Sequence, residues 1–278
     1  MSSIKSQWSP PSSWVGLNEE EEEGNHSLSV EDVPPRVYVS VEGIVGAGKS
    51  TALHALRSVL CSEGRESLLH IYDEPLESMQ SYCNGLYNPL QELYADTTSN
   101  VTAAQCVISR VVSDYYRRHL KDHVRLYGPN VAAVSERSVL SSFAFVDAYF
   151  AAGKLSCFTR DFLSMEHRWR VQDSIMPTHV ILLELDPAKC NDRLEEAAGA
   201  PTKWAGFHVF QEELHRAHVV LFESLARYTS LQLHRVCLDG RESRLQVADK
   251  IRVEIESLIS AEERKSEGVQ QQQQQQQQ

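Results

Sequence analysis

The chain has 278 residues, 42% of them hydrophobic and 23% charged, and carries a formal net charge of −11, a globular composition with enough length for one large α/β domain or two small ones. Much of the charge is terminal: Glu19 to Glu23, Glu31 and Asp32 against Lys5 alone give residues 1–35 a charge of −6, and 261–278 add −1, which leaves −4 for the body. That balance excludes the basic footprint of a nucleic-acid or anionic-membrane binder, and six scattered cysteines without a C-x-x-C argue against a disulfide framework or a zinc site.

Residues 1–35 are rich in Ser, Pro and Glu and close on Pro34-Pro35; they read as a disordered acidic tail with no apolar run suited to a signal peptide. A cytosolic or nuclear compartment is expected, with the host-cell cytosol the equivalent if the chain is viral. Val37, Val39 and Val41 form a β-branched run that enters Gly43-Ile44-Val45-Gly46-Ala47-Gly48-Lys49-Ser50 and then Thr51, a fit to G-x-x-x-x-G-K-[ST] between a strand and a helix. Glycines let backbone N–H groups turn onto a phosphate, and the following helix offers its positive end. Lys49 can neutralise phosphate charge, and the Ser50 hydroxyl suits Mg²⁺.

The chain then alternates. Ser50 to Cys61 reads as a helix and Leu68 to Tyr72 as a strand that Pro75 ends. Val101 to Leu120 is a long helix, and Val131 to Val134 a third strand leading into Glu136-Arg137-Ser138. Helices are expected over Val139 to Ala152 and Thr159 to Ser174. His179 to Leu185 is the strongest strand signal. Helices follow over Pro187 to Glu196 and Phe210 to Tyr228, then a strand over Leu233 to Leu238 and a helix over Ser243 to Ile259; Gln270 to Gln278 reads as a polyglutamine tail. Five strands with helical crossovers predict a single α/β P-loop domain over 36–262, a parallel sheet with helices on both faces, a lid, and a disordered tail over 263–278. Ligands are expected beyond the carboxyl ends of the strands, where Lys49, Glu74 and Glu136-Arg137 converge. Such a mouth holds what phosphoryl transfer needs: a carboxylate to take a proton, another to hold Mg²⁺ and an arginine for the transferred oxygens.

VEGIVGAGKST, DEP (73–75), ELY (92–94), Gln105, ERS (136–138) and ILLELDPAKCNDRL together resemble the deoxyribonucleoside kinases, which include cellular deoxycytidine, deoxyguanosine and mitochondrial thymidine kinases and, more distantly, herpesviral thymidine kinases. The resemblance spans roughly Arg36 to Ile259. It implies ATP and Mg²⁺ as cofactors, 5′-phosphorylation of a deoxynucleoside in nucleotide salvage, and a homodimer that engages neither nucleic acid nor membrane. It also implies roles: Glu74 as general base on the 5′-hydroxyl, Lys49 on the ATP phosphates, Ser50 and Glu136 on Mg²⁺, and Arg137 on the 5′-hydroxyl and transferred phosphoryl group. Gln105 matches the glutamine that pairs with the base, Tyr94 the tyrosine on the 3′-hydroxyl, and Phe145 the stacking ring, with Phe143 adjacent.

Purine- and cytidine-using members pair an arginine with an aspartate in the base pocket; here Val112 and Ser141 or Ser142 stand there, which resembles the thymidine-accepting branch. Met79 replaces a usual tryptophan. The expected lid holds only Arg193 and Lys203 as basic residues between Asn191 and Gly206, with Ala197 and Gly199 at arginine positions, so Arg193 is the candidate for transition-state charge. A thymidylate-type monophosphate kinase is the nearest competing reading, but Leu76-Glu77-Ser78 stands where its G-G-T would; a GTPase would need an N-K-x-D that is absent. A plain P-loop ATPase or nucleotide-binding module would leave Glu74 without a purpose.

Overall fold

The β-branched run before the glycine-rich loop forms β1 (Tyr38–Glu42), every residue of it buried. A computed structural model describes residues 34–94, 100–128, 130–198 and 206–276, with the side chains of 94, 197, 198 and 266–276 left out of that description. Five strands make one sheet: β1, β2 (Leu69–Tyr72), β3 (Ala132–Glu136), β4 (His179–Glu184) and β5 (Gln232–Cys237), in the order β2-β3-β1-β4-β5. All four pairings are parallel, with Val41 opposite Glu136 and Ile181, and Tyr72 opposite Ser135. Parallel neighbours require crossovers, so both sheet faces are covered by helices and the inner strands β1, β3 and β4 are buried almost throughout. The edge strand β5 is the exception, with only Val236 buried.

The helices are α1 (Lys49–Ser62), α2 (Leu76–Gln80), α3 (Pro89–Tyr94), α4 (Val101–Tyr127), α5 (Ser141–Ala151), α6 (Cys157–Gln172), α7 (Pro187–Ala198), α8 (Phe207–Tyr228) and α9 (Arg244–Gln276). α9 packs on α1, α5 packs on α8, and α4 and α5 both pack on α6. Strand and helix types match the sequence expectations, while boundaries move. β2 ends at Tyr72, ahead of Pro75, which stands as the N-cap of α2; this short helix and α3 were not expected. α4 runs past Leu120 to Tyr127 because His123 and Val124 keep its buried stripe going, and Gly128 ends it. α9 does not stop at Ile259 but continues helical through the glutamine run to Gln276, where a tail without structure was expected. Glutamine is a good helix former, and the lone Gly268 costs only about 1 kcal/mol. Residues 1–33 lie outside the described residues.

Candidate active site

The loop between β1 and α1 is shaped by close approaches. A Cβ on Gly43 would meet the Leu183 carbonyl at 2.7 Å, and one on Gly46 would meet the Cys190 carbonyl at 2.7 Å; both glycines have positive φ. Only glycine lets this loop lie against β4 and α7. Gly48 is the N-cap of α1 and supplies no side-chain cap, so the first helical N–H groups remain for an anion. Lys49 lies under the loop, 5% exposed, its Nζ donating to the carbonyls of Gly43 (3.1 Å) and Ile44 (3.0 Å). Burial, and then the Arg137 charge, push its ammonium down to about 8.

Sheet order places the other charges beside this loop, since β3 lies between β2 and β1. Glu136 ends β3 and accepts a hydrogen bond from Ser50 Oγ at 2.7 Å. A hydroxyl paired with a carboxylate is a hard-oxygen donor set suited to Mg²⁺, which takes few protein ligands and completes its shell with water and phosphate; no cluster of three metal-ligating side chains exists among the described residues. Glu74, two residues beyond β2, keeps 20% of its side chain exposed, and its Oε1 lies 3.5 Å from Arg137 Nε. Burial raises the Glu74 carboxyl above the ordinary range against the opposing pull of Arg137, the direction expected of a proton acceptor working near neutrality.

Arg137 has φ 66, a left-handed conformation that a non-glycine residue adopts only when its surroundings force it. Its backbone N–H donates to Val41 O at 3.0 Å and its carbonyl accepts from Ser135 Oγ at 2.6 Å. Ser138, the next residue, donates to Glu42 Oε1 (2.8 Å), which also accepts from Ser40 Oγ (2.6 Å), while Ser141 donates to Glu42 Oε2 (2.5 Å). Ser141 is thus engaged by Glu42, and both it and Ser142 line the cavity.

These groups open on one cavity of about 560 Å³. Of the residues singled out from sequence, Gly46, Ala47, Gly48, Lys49, Ser50, Thr51, Glu74, Met79, Gln105, Val112, Glu136, Arg137, Ser141, Ser142, Phe145 and Arg193 all line it. Gly43 does not: it is packed behind the loop against Leu183 and offers its carbonyl to Lys49. Tyr94 ends α3, but its side chain lies outside the described set, as do Gly199, Lys203 and the side chain of Ala197. Phe145 and Phe143 separate cleanly. Phe145 faces the cavity with the Arg137 guanidinium 4.9 Å above its ring, whereas Phe143 packs edge-on to the buried His167.

The cavity has two halves. One is built by α2, α4 and α5, where the buried Gln105 stands among Met79, Val112, Ser142 and Phe145. The other runs from the glycine loop to Arg193 and the segment after β5. Arg193 crosses Gly48 and donates to Gly240 O at 3.2 Å. Glu242 turns this segment by accepting from the N–H groups of Asp239 and Gly240 and from Lys250 Nζ. Arg244 also lines this half.

Sequence reasoning passed over Glu42, Ser138, His218, Tyr116, Phe210 and Arg244. Two carried a signal: Glu42 is an acid inside a valine-rich strand, and His218, with Gln211, interrupts the otherwise apolar buried stripe of α8.

A family model described as deoxynucleoside kinase matches residues 39–274. No curated protein sequence matches the chain. Among solved structures, a deoxyadenosine kinase from M. mycoides with the products dCMP and a flexible dCDP bound aligns at 15% identity and TM-score 0.57, over 80% of this chain and 100% of that one. The same kinase with bound dATP aligns at 14% identity and TM-score 0.57, over 79% and 100%. With bound dCTP the values are 13%, 0.55, 80% and 100%. At these identities the likeness establishes the fold.

Proposed function

The chain belongs to the deoxynucleoside kinase family, and we propose that it transfers the γ-phosphoryl group of ATP to the 5′-hydroxyl of a pyrimidine deoxynucleoside, thymidine foremost, in nucleotide salvage. The observation that carries this reading is the pairing of Glu74 with Arg137 at the junction of the two cavity halves, with Lys49 and the glycine loop on one side and Gln105 on the other. In this scheme Glu74 takes the proton of the 5′-hydroxyl as its oxygen attacks the γ-phosphorus. The bond to the leaving oxygen of ADP breaks in line, and Lys49 and Arg137 balance charge on the transferred and leaving oxygens. Arg193 adds charge from the donor side. Ser50 and Glu136 would hold Mg²⁺, which neutralises phosphate charge when bound.

Thymidine is favoured by the acceptor wall. The Gln105 amide offers one acceptor and two donors to a base edge, Phe145 offers a face for stacking, and Met79, Val112 and Ser142 leave an uncharged lining that admits a methyl group without stranding a charge. Tyr94 is assigned to the 3′-hydroxyl by its place in ELY alone. A homodimer is supported by α6, where Phe158, Phe162, Met165 and Trp169 repeat along one exposed stripe. No described helix is long and apolar enough to cross a membrane. Cytosol or nucleus is the compartment that suits six free cysteines.

The test is ADP release from Mg-ATP with each of four deoxynucleosides, with dTMP, and with no acceptor. Thymidine is expected to stimulate most. Stimulation by dTMP alone would make the protein a monophosphate kinase, acceptor-independent hydrolysis would make it an ATPase, and a purine preference would overturn the acceptor assignment.

A further inference from the structure

Arg137 is held in an unusual conformation, and the groups behind it explain how. Its guanidinium meets Glu74 through Nε at 3.5 Å, covers the Phe145 ring at 4.9 Å, and points NH1 at His218 Nε2, 3.5 Å away. His218 is fully buried on α8, and its Nδ1 lies 2.8 Å from Leu214 O. A carbonyl only accepts, so Nδ1 carries the proton and Nε2 presents a lone pair to Arg137. Glu42 Oε2 stands 4.0 Å from the same Nε2, already engaged by Ser141. Burial, with the neighbouring Arg137 charge, drives the imidazole well below its ordinary value, so the ring stays neutral and remains an acceptor.

We propose that His218 is a positioning residue for phosphoryl transfer: the lone pair of its Nε2 holds the Arg137 guanidinium from behind, while Glu42, through Ser138 and Ser141, fixes the turn that presents Arg137 to the cavity. The inference rests on the reading of Arg137 as a contact to the transferred group. The division of labour follows from the chemistry. A carboxylate in the place of His218 would neutralise Arg137 and pull it from the phosphoryl oxygens, whereas a neutral acceptor orients the guanidinium and leaves its charge available. Glu42 is kept from that role because three hydroxyls occupy its oxygens.

The experiment compares His218→Phe, which fills the space without an acceptor, with His218→Gln, whose amide oxygen reaches Arg137. The phenylalanine variant is expected to lose about tenfold in kcat with KM for ATP within about twofold of the parent, and the glutamine variant to recover to within about threefold. In an Arg137→Lys background, His218→Phe is expected to cost less than about twofold more, because its effect passes through Arg137. Parental kcat in His218→Phe overturns the proposal. So does an equal loss in His218→Gln, and so does a full additional loss in the Arg137→Lys background, since both assign His218 to packing. If His218→Phe does not fold, His218→Asn, too short to reach, replaces it, and equal kcat in the Asn and Gln variants overturns the proposal. Absence of any nucleoside-dependent turnover in the parent protein would instead sink the kinase reading itself.

Discussion

Two arginines on different strands of the same sheet stand beside acids, and they have opposite consequences. Arg235 on the edge strand β5 donates to both oxygens of Glu184 and to Glu223, with 45% of its side chain exposed. Arg137, just past the end of β3, has 6% exposed, and its guanidinium makes only long polar contacts, to Glu74 and His218, beside the Phe145 ring. The edge cluster has better geometry and shorter bonds, yet it lies half exposed, where water screens it. In the cradle the charges are packed and incompletely satisfied, so Glu74 is raised and Lys49 is lowered. Burial with unfinished pairing, more than the density of charge, distinguishes the cluster at the cavity from the one at the sheet edge.

Glu74→Gln tests this contrast most severely. The amide keeps the shape and removes the proton acceptor, and kcat for thymidine phosphorylation is expected to fall by about 100- to 10,000-fold. Thymidine affinity, read by calorimetry, is expected to stay within about threefold. In the parent enzyme the acid limb of the pH–rate profile should lie above the ordinary carboxylate range, because burial raises Glu74. An ordinary limb would mean that another group takes the proton.

The cost of the cradle should be measurable at Lys49. Its folded-state value of about 8 lies below the ordinary lysine value of 10.5, so between those values the unfolded chain binds the extra proton and this group adds stability as pH rises. Below about pH 8 the ammonium is charged in both states, and its burial costs about 3 kcal/mol. Lys49→Met should therefore be inactive yet more stable than the parent at pH 7, with the gap closing as pH rises from about 8 to 10.5 in denaturant melts. A gap independent of pH would show that the ammonium is better solvated than its position implies.

Val112→Arg carries the comparison into the acceptor wall. A new cation at an exposed edge is nearly free, but Val112 is 6% exposed, and an unpaired charge there is expected to lower kcat/KM for thymidine by about tenfold or more. Adding Ser142→Asp should return part of the loss and shift preference toward deoxycytidine, since the pair then neutralises itself. Unchanged thymidine kinetics in the single variant would place the base elsewhere in the cavity.

How much of this was legible in the sequence follows the same division. The glycine loop, Glu74, Gln105, Glu136-Arg137 and the parallel sheet are local signals, readable because each residue type stands at a strand end or on a periodic helix. Boundaries slipped where no breaker stood, as at the ends of α4 and α9. His218 was missed because its meaning depends on Arg137, far away in the chain, and only folding sets the two side by side. Glu42 looked like a strand residue until three serine hydroxyls from two segments were found on it. The separation of Phe145, which lines the cavity, from Phe143, which does not, needed the rotation of α5, which sequence spacing does not fix to one residue. Gly199 and Lys203 lie outside the described residues, and the contact of Arg193 with the Gly240 carbonyl joins segments far apart in the chain, which spacing alone does not reveal.

The smallest expected effect is at the edge. Burial alone would raise Glu184, but the hydrogen bonds and charge of Arg235 hold it below the ordinary value. A carboxyl lowered in the folded state adds stability that is present above its unfolded value and is lost as pH falls through the folded one. With Arg235 about half exposed, screening limits Arg235→Ala to about 1 kcal/mol or less at pH 7. The difference from the parent should vanish below the usual carboxylate range, and kcat should not change at any pH. A larger loss, or any change in turnover, would mean that β5 and the Glu242 segment after it couple to the cradle through Gly240 and Arg193, and the two clusters would then have to be treated as one.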